Sequence, residues 1–185
     1  MLLVLLLGVA DFGRVFQAGI TIEGAARNGA EAAALERLRN KPPTDPSKLD
    51  GYYDNLHAVA GLAACQQARV LPNTAFEPAD GTCQGMPAIR ACVHDGMDTR
   101  CGEAIPGFDA SIPAECTELG AAWTAASAGD IASHAVELRI CYRFTTLFNL
   151  HVSLPFGQGL NLGDVWLQRT RFFVLDCPPG PVSTC

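Results

Sequence analysis

Met1-Leu2-Leu3-Val4-Leu5-Leu6-Leu7-Gly8-Val9-Ala10-Asp11-Phe12-Gly13-Arg14-Val15-Phe16 opens the chain, and Ala25-Ala26-Arg27-Asn28-Gly29-Ala30 comes soon after. No turn signal interrupts the text up to Asn40, so an apolar run passes into an amphipathic one within a single helix. Apolar or small residues fall at Phe12, Val15, Phe16, Gly19, Ile20, Ala26, Ala30 and Ala33. Polar ones fall at Asp11, Arg14, Gln17, Thr21, Arg27, Asn28 and Glu31, close to helical spacing. Asp11/Arg14 and Glu23/Arg27 stand three and four residues apart, where opposite charges meet on a helix surface. Lys41-Pro42-Pro43 ends the helix near Asn40, because proline cannot continue it. The resulting rod is roughly 60 Å long.

Gly8, Gly13, Gly19, Gly24 and Gly29 each weaken an isolated helix by about 1 kcal/mol relative to alanine. Their recurrence fits a helix gripped along its side by other helices, since small residues permit close backbone approach. A bilayer span takes about 20 mostly apolar residues, and Met1–Ala10 supplies about half of that. The small residues of Gly8-Val9-Ala10 would suit signal-peptide cleavage. Against that reading, no basic residue precedes the leucines and the helical pattern continues past any cut. A core helix of a soluble protein is another reading. By the continuity of its pattern, the segment reads as the distal half of a membrane helix.

The formal charge of −6 and a pI near 5.1 exclude a nucleic-acid surface, which needs clustered Lys and Arg. The closest basic group, Arg37, Arg39 and Lys41, sits at the expected helix end, where cations complement the macrodipole. Eight cysteines, Cys65, Cys83, Cys92, Cys101, Cys116, Cys141, Cys177 and Cys185, accompany the membrane-directing start. Together they indicate an oxidising compartment and disulfide bonds. Cys83, Cys92 and Cys101 recur at equal spacing, but no close C-x-x-C pair of the zinc type occurs.

On the residues Leu5 to Phe16 and Ala25 to Ala30 the chain resembles the TadE-like family, pilin-related proteins of the bacterial tight-adherence (Flp-type) pilus. Family members carry a leucine run, an acidic residue, Phe-Gly-Arg, then Ala-Ala-Arg-x-Gly-Ala. A weaker echo lies at Val136-Glu137-Leu138-Arg139-Ile140-Cys141-Tyr142-Arg143-Phe144-Thr145, with Pro155 and Val165–Leu175 after it. The family's short Gly-Gln-Ala-Leu-Val-Glu-Phe-like block before the leucines has no counterpart here, and Cys65 to Cys116 matches no family motif. The resemblance implies a pilin-like subunit held by its N-terminal helix, with membrane lipid and other pilin-like subunits as partners and a head outside the cytoplasm.

The expected organisation is a helix over residues 1–40 and an extracytoplasmic head over residues 41–185. Asp45 or Ser47 in the proline-rich linker is placed to cap the next helical segment. Asp54–Val70 reads as a second helix with Leu56, Val59, Ala60, Ala63 and Ala64 on one face. His57 lies beside that face as a rim or core histidine rather than a ligand. Alternation predicts strands at Ala88–His94, Val136–Phe144 and Val165–Leu175. In the second of these, Glu137, Arg139, Cys141 and Arg143 are expected on a solvent face. Residues 95–133 read as an insertion stapled by disulfides. Its Asp95-Gly96-Met97-Asp98 lacks the ligand order of a calcium loop. The fold class is α+β: a long N-terminal helix packed on a small antiparallel sheet, with a disulfide-rich insertion.

No catalytic, cofactor-binding or metal-ligating set is assigned. A G-x-S-x-G elbow and H-E-x-x-H are absent, and Gly157-Gln158-Gly159-Leu160-Asn161-Leu162-Gly163 spaces its third glycine one residue late for a dinucleotide loop. Gly8, Asp11, Phe12, Gly13, Arg14, Phe16, Gly19, Gly24, Arg27 and Gly29 are the expected packing residues of an assembly subunit. The competing reading is a tethered or secreted binding module whose cysteine-rich part holds a ligand.

Overall fold

The computed structural model describes residues 2–72, 75–77, 82–84, 88–95, 98–103, 134–146, 151–153, 159–161 and 164–175. Helix α1 runs unbroken from Leu2 to Arg39, with Arg37 and Arg39 in its last turn. After the prolines, Asp45 accepts a hydrogen bond from the Ser47 amide at 3.0 Å and caps a single 3-10 turn, Pro46–Lys48. This turn leads directly into α2, Leu49–Ala68, which starts five residues before the expected Asp54.

The two helices form an antiparallel hairpin. Gly24 faces Gln67, Gly29 faces Ala60 and Ala64, and the Tyr52 hydroxyl donates to the Asn40 carbonyl at 2.9 Å. The seam is built of alanine. Ala25, Ala26, Ala30, Ala33 and Ala34 of α1 and Ala60, Ala64 and Ala68 of α2 are buried in one cluster. Small side chains bring less apolar area per residue than leucine would, but they let the backbones approach. That closeness leaves both helices able to lie on the same sheet.

The sheet has four antiparallel strands in the order β4-β3-β5-β8, with β3 Ala88–Asp95, β4 Asp98–Glu103, β5 His134–Thr145 and β8 Asp164–Leu175. Two short pairs, β1 (Ala75–Glu77) with β2 (Thr82–Gln84) and β6 (His151–Ser153) with β7 (Gly159–Asn161), stand apart from it. β5 is the central strand, matched along all twelve of its residues to β8. Ile89, Ala91, Val136, Leu138, Ile140, Tyr142 and Phe144 face the helices and join the alanine cluster. A smaller cluster of Tyr53, Leu56 and Val93 closes the other end of α2. The α+β architecture, a long N-terminal helix on a small antiparallel sheet, is thus the observed one.

The second face of β5 differs from its expected solvation. Glu137, Arg139 and Cys141 are buried, and Arg143 and Thr145 at its end are exposed. Their burial is possible because neighbouring strands supply polar partners. His94 Nε2 lies 3.3 Å from Glu137 Oε2, Arg139 Nη2 lies 3.9 Å from Glu137 Oε1, and Arg139 Nε donates to Thr170 Oγ1 at 3.2 Å. A buried charge is tolerated where it is paired and hydrogen-bonded.

Cys92 and Cys101 stand directly opposite each other in the β3–β4 register and form a disulfide, with their Cα atoms 4.0 Å apart. Closely spaced Cα atoms mark the non-hydrogen-bonded positions of an antiparallel pair. Cys65 and Cys141 each take part in a disulfide bond as well. Cys83 belongs to β2, while Cys116, Cys177 and Cys185 lie outside the described residues, as does most of the expected insertion. Asp95 and Asp98 are the last register pair of the β3–β4 hairpin.

Candidate assembly surface

The ten expected packing residues divide between two sides of α1. On the head side, Asp11 is 9% exposed and accepts a hydrogen bond from Arg14 Nη1 at 3.2 Å. The Arg14 guanidinium lies over the Phe144 ring, 5.3 Å from its centroid. The pair therefore marks the point where α1 meets the head. Beside it, Arg14, Gln17 and Thr21 rim a shallow cleft of about 230 Å³ floored by Ala18, Leu71 and Phe144. The Tyr142 hydroxyl holds the nearby chain by donating to the Pro72 carbonyl at 2.7 Å. Burial lifts the Tyr142 phenol above its ordinary range, with the Arg14 charge opposing.

Gly29 and Gly19 are buried within their own molecule, and Gly24 is half-buried there. A β-carbon at Gly29 would stand 2.4 Å from Leu138 Cδ2, 2.7 Å from the Ala60 carbonyl oxygen and 3.1 Å from Ala64 Cβ. At Gly19 it would meet Arg169 Nη2 at 3.6 Å, and at Gly24 the Gln67 side chain at 3.6 Å. The close approach that glycine permits is spent here on α2 and β5. Gly8 and Gly13 have nothing within 4 Å of the same position. Arg27 is exposed, while Glu23 is bound across to β8 by Arg169 and Arg171.

The other side of α1 is apolar and open. Leu6, Val9, Phe12, Phe16 and Ile20 are 62, 68, 75, 64 and 60% exposed. Val9, Phe12, Phe16 and Ile20 succeed one another at intervals of three or four residues and so share a helix face. One face thus carries large side chains away from the head for about 17 Å along the axis. Isolated apolar residues on a surface are ordinary, but a contiguous stripe marks an interaction site. The stripe begins in the leucine run and overlaps the level of the head, because Val15, Ala18 and Ile22 on the opposite side already contact the core.

Sequence spacing placed Phe12, Val15, Phe16, Ile20, Ala26 and Ala30 on one face, whereas the structure splits them. Val15, Ala26 and Ala30 turn inward, whereas Phe12, Phe16 and Ile20 turn outward. Leu6, Val9 and Ile20 belong to the surface although they were not among the expected packing residues.

Among the described residues, no helix is long and apolar enough to cross a membrane. The arrangement defines a helix-led α+β protein, with an apolar stripe turned away from its own head. The family model of TadE-like proteins matches residues 1–31, the part of α1 that carries the stripe. No curated protein and no solved structure matches the chain.

Proposed function

We propose that the chain is a pilin-like structural subunit of a tight-adherence pilus or a related secretion assembly, anchored and packed through α1 with its head outside the cytoplasm. The observation that carries this reading is the exposed stripe Leu6, Val9, Phe12, Phe16 and Ile20 within the family-matched segment. Lipid surrounds the leucine end. At the level of the head the stripe faces the N-terminal helices of like subunits. Gly8 and Gly13 lie within that outward region and let a neighbouring helix come close. Asp11 and Arg14 neutralise each other at the boundary, as charges bordering an apolar assembly must.

Replacing Phe12 and Phe16 together by serine tests the proposal. Both side chains are mostly exposed, so the head should keep its thermal midpoint. Recovery of the subunit with its assembly partners from native membranes should fall at least tenfold. A helix serving only as tether for a ligand-binding head would tolerate the change, and unaltered co-assembly of the double variant would refute the proposal.

A further inference from the structure

The contact between α2 and β4 is built around a buried imidazole. His57 is 5% exposed, and its ring fills the space over Gly102, where a β-carbon would stand 2.3 Å from Nδ1 and 2.7 Å from Cε1. Its Nε2 is 3.3 Å from the Arg100 carbonyl oxygen. A carbonyl only accepts, so Nε2 carries the proton and Nδ1 is the bare nitrogen. That bare nitrogen points at the α-carbon of Gly102. No acceptor among the described residues faces a second proton there. Among the described side chains, the charged groups around the ring are Asp54 on its own helix and Arg100 on the facing strand. The Arg100 guanidinium is turned away to Asp50, at 2.8 Å, and lies over the Tyr53 ring at 5.2 Å. The β3 residue in this region, Val93, is apolar. The other buried histidine differs in kind: His94 faces the Glu137 carboxylate, which gives a positive charge a counterion.

We propose that the α2–β4 contact is an acid-sensitive latch, in which protonation of His57 releases the β3–β4 hairpin from the first half of α2. The Cys92–Cys101 bond keeps β4 on β3, and β3 stays paired with β5, so the first half of α2 lifts from the hairpin and the Tyr53–Leu56–Val93 cluster opens. Burial holds the His57 imidazole below its ordinary 6.5, against the Arg100 hydrogen bond and the Asp54 charge, which raise it. The unfolded chain takes up a proton near 6.5 while the closed contact does not. Stability is therefore complete above that pH and falls as the pH drops through the window below it.

The test uses the full chain in detergent, comparing wild type with His57→Gln, whose amide retains a donor for the Arg100 carbonyl and does not titrate. Proton NMR of the His57 ring should give a midpoint below 6.5. Between about pH 7.5 and 5, hydrogen exchange at amides of β4 and the first half of α2, corrected for intrinsic rates, should lose protection in the wild type. The loss approaches about tenfold per pH unit within the window and is much smaller in the variant. An equal acid loss in both proteins, or a ring midpoint at or above 6.5, overturns the latch. Should the variant fail to fold, the wild-type ring midpoint decides alone.

Discussion

Gly29 and Gly13 show how differently one residue type is used sixteen positions apart. Gly29 stands against the Ala60 carbonyl, which belongs to a helix backbone and cannot swing aside. Gly13 faces open space. Alanine gains about 1 kcal/mol over glycine inside a helix wherever it fits. Gly13→Ala should therefore stabilise the protein by up to about 1 kcal/mol. Gly29→Ala should destabilise it by roughly 1–3 kcal/mol, since overpacking at backbone outweighs the propensity gain. Urea denaturation of the two variants checks both signs, and a stabilised Gly29→Ala would contradict the packing described. Glu23 offers a milder case. It holds Arg169 and Arg171 on an exposed surface, where an ion pair contributes only about 0–1 kcal/mol.

Among the elements, α1 carries two tasks on opposite sides, and Ile20 and Ile22 separate them cleanly. Ile22 is fully buried and Ile20 is 60% exposed. Ile22→Ala should cost about 2–5 kcal/mol, read from the shift in unfolding midpoint. Ile20→Ala should change stability by about 0.5 kcal/mol or less while weakening co-assembly. If the two variants lost equal stability, the two-sided description of α1 would fail. The helix itself was legible from uninterrupted spacing, and its end from Pro42-Pro43. The alternation at Ala88, Val136 and Val165 likewise located three strands within a residue or two. β4 was not legible. Asp98-Thr99-Arg100-Cys101-Gly102-Glu103 is polar, and what makes it a strand is its register with β3 and its clamp on α2. The buried side of β5 was hidden for the same reason, because Glu137 and Arg139 find their partners at His94 and Thr170, more than thirty residues away in each direction. The candidate surface was half readable: Phe12 and Phe16 stood out beside the motif, but which glycines face outward depends on where α2 lies.

Among the described residues, the helix hairpin, the four-stranded sheet and the Cys92–Cys101 bond pack together, with α1 joining them from Asp11. The Cys92–Cys101 bond closes a short loop across the sheet's edge hairpin. In the chain-entropy account a loop of about ten residues contributes roughly 2–3 kcal/mol. Replacing both cysteines by serine should lower stability by about that amount, read by guanidinium unfolding under oxidising conditions. A variant as stable as the parent would show that the unfolded chain holds the hairpin together without the bond. The alanine seam and the central strand β5 are independent of this bond, so the loss should not abolish folding.

The unbroken course of α1 has a mechanical corollary. A pull on the leucine end travels down a single rod, and its alanines engage α2 and the sheet over most of the rod's remaining length. Tension along that axis is met in shear, by many contacts at once, instead of peeling them one after another. Resistance to such a pull is set by how fast the contacts yield together, which is a matter of unfolding rate and not of equilibrium stability. A head of modest thermodynamic strength can in this way hold fast while its N-terminal helix is under load.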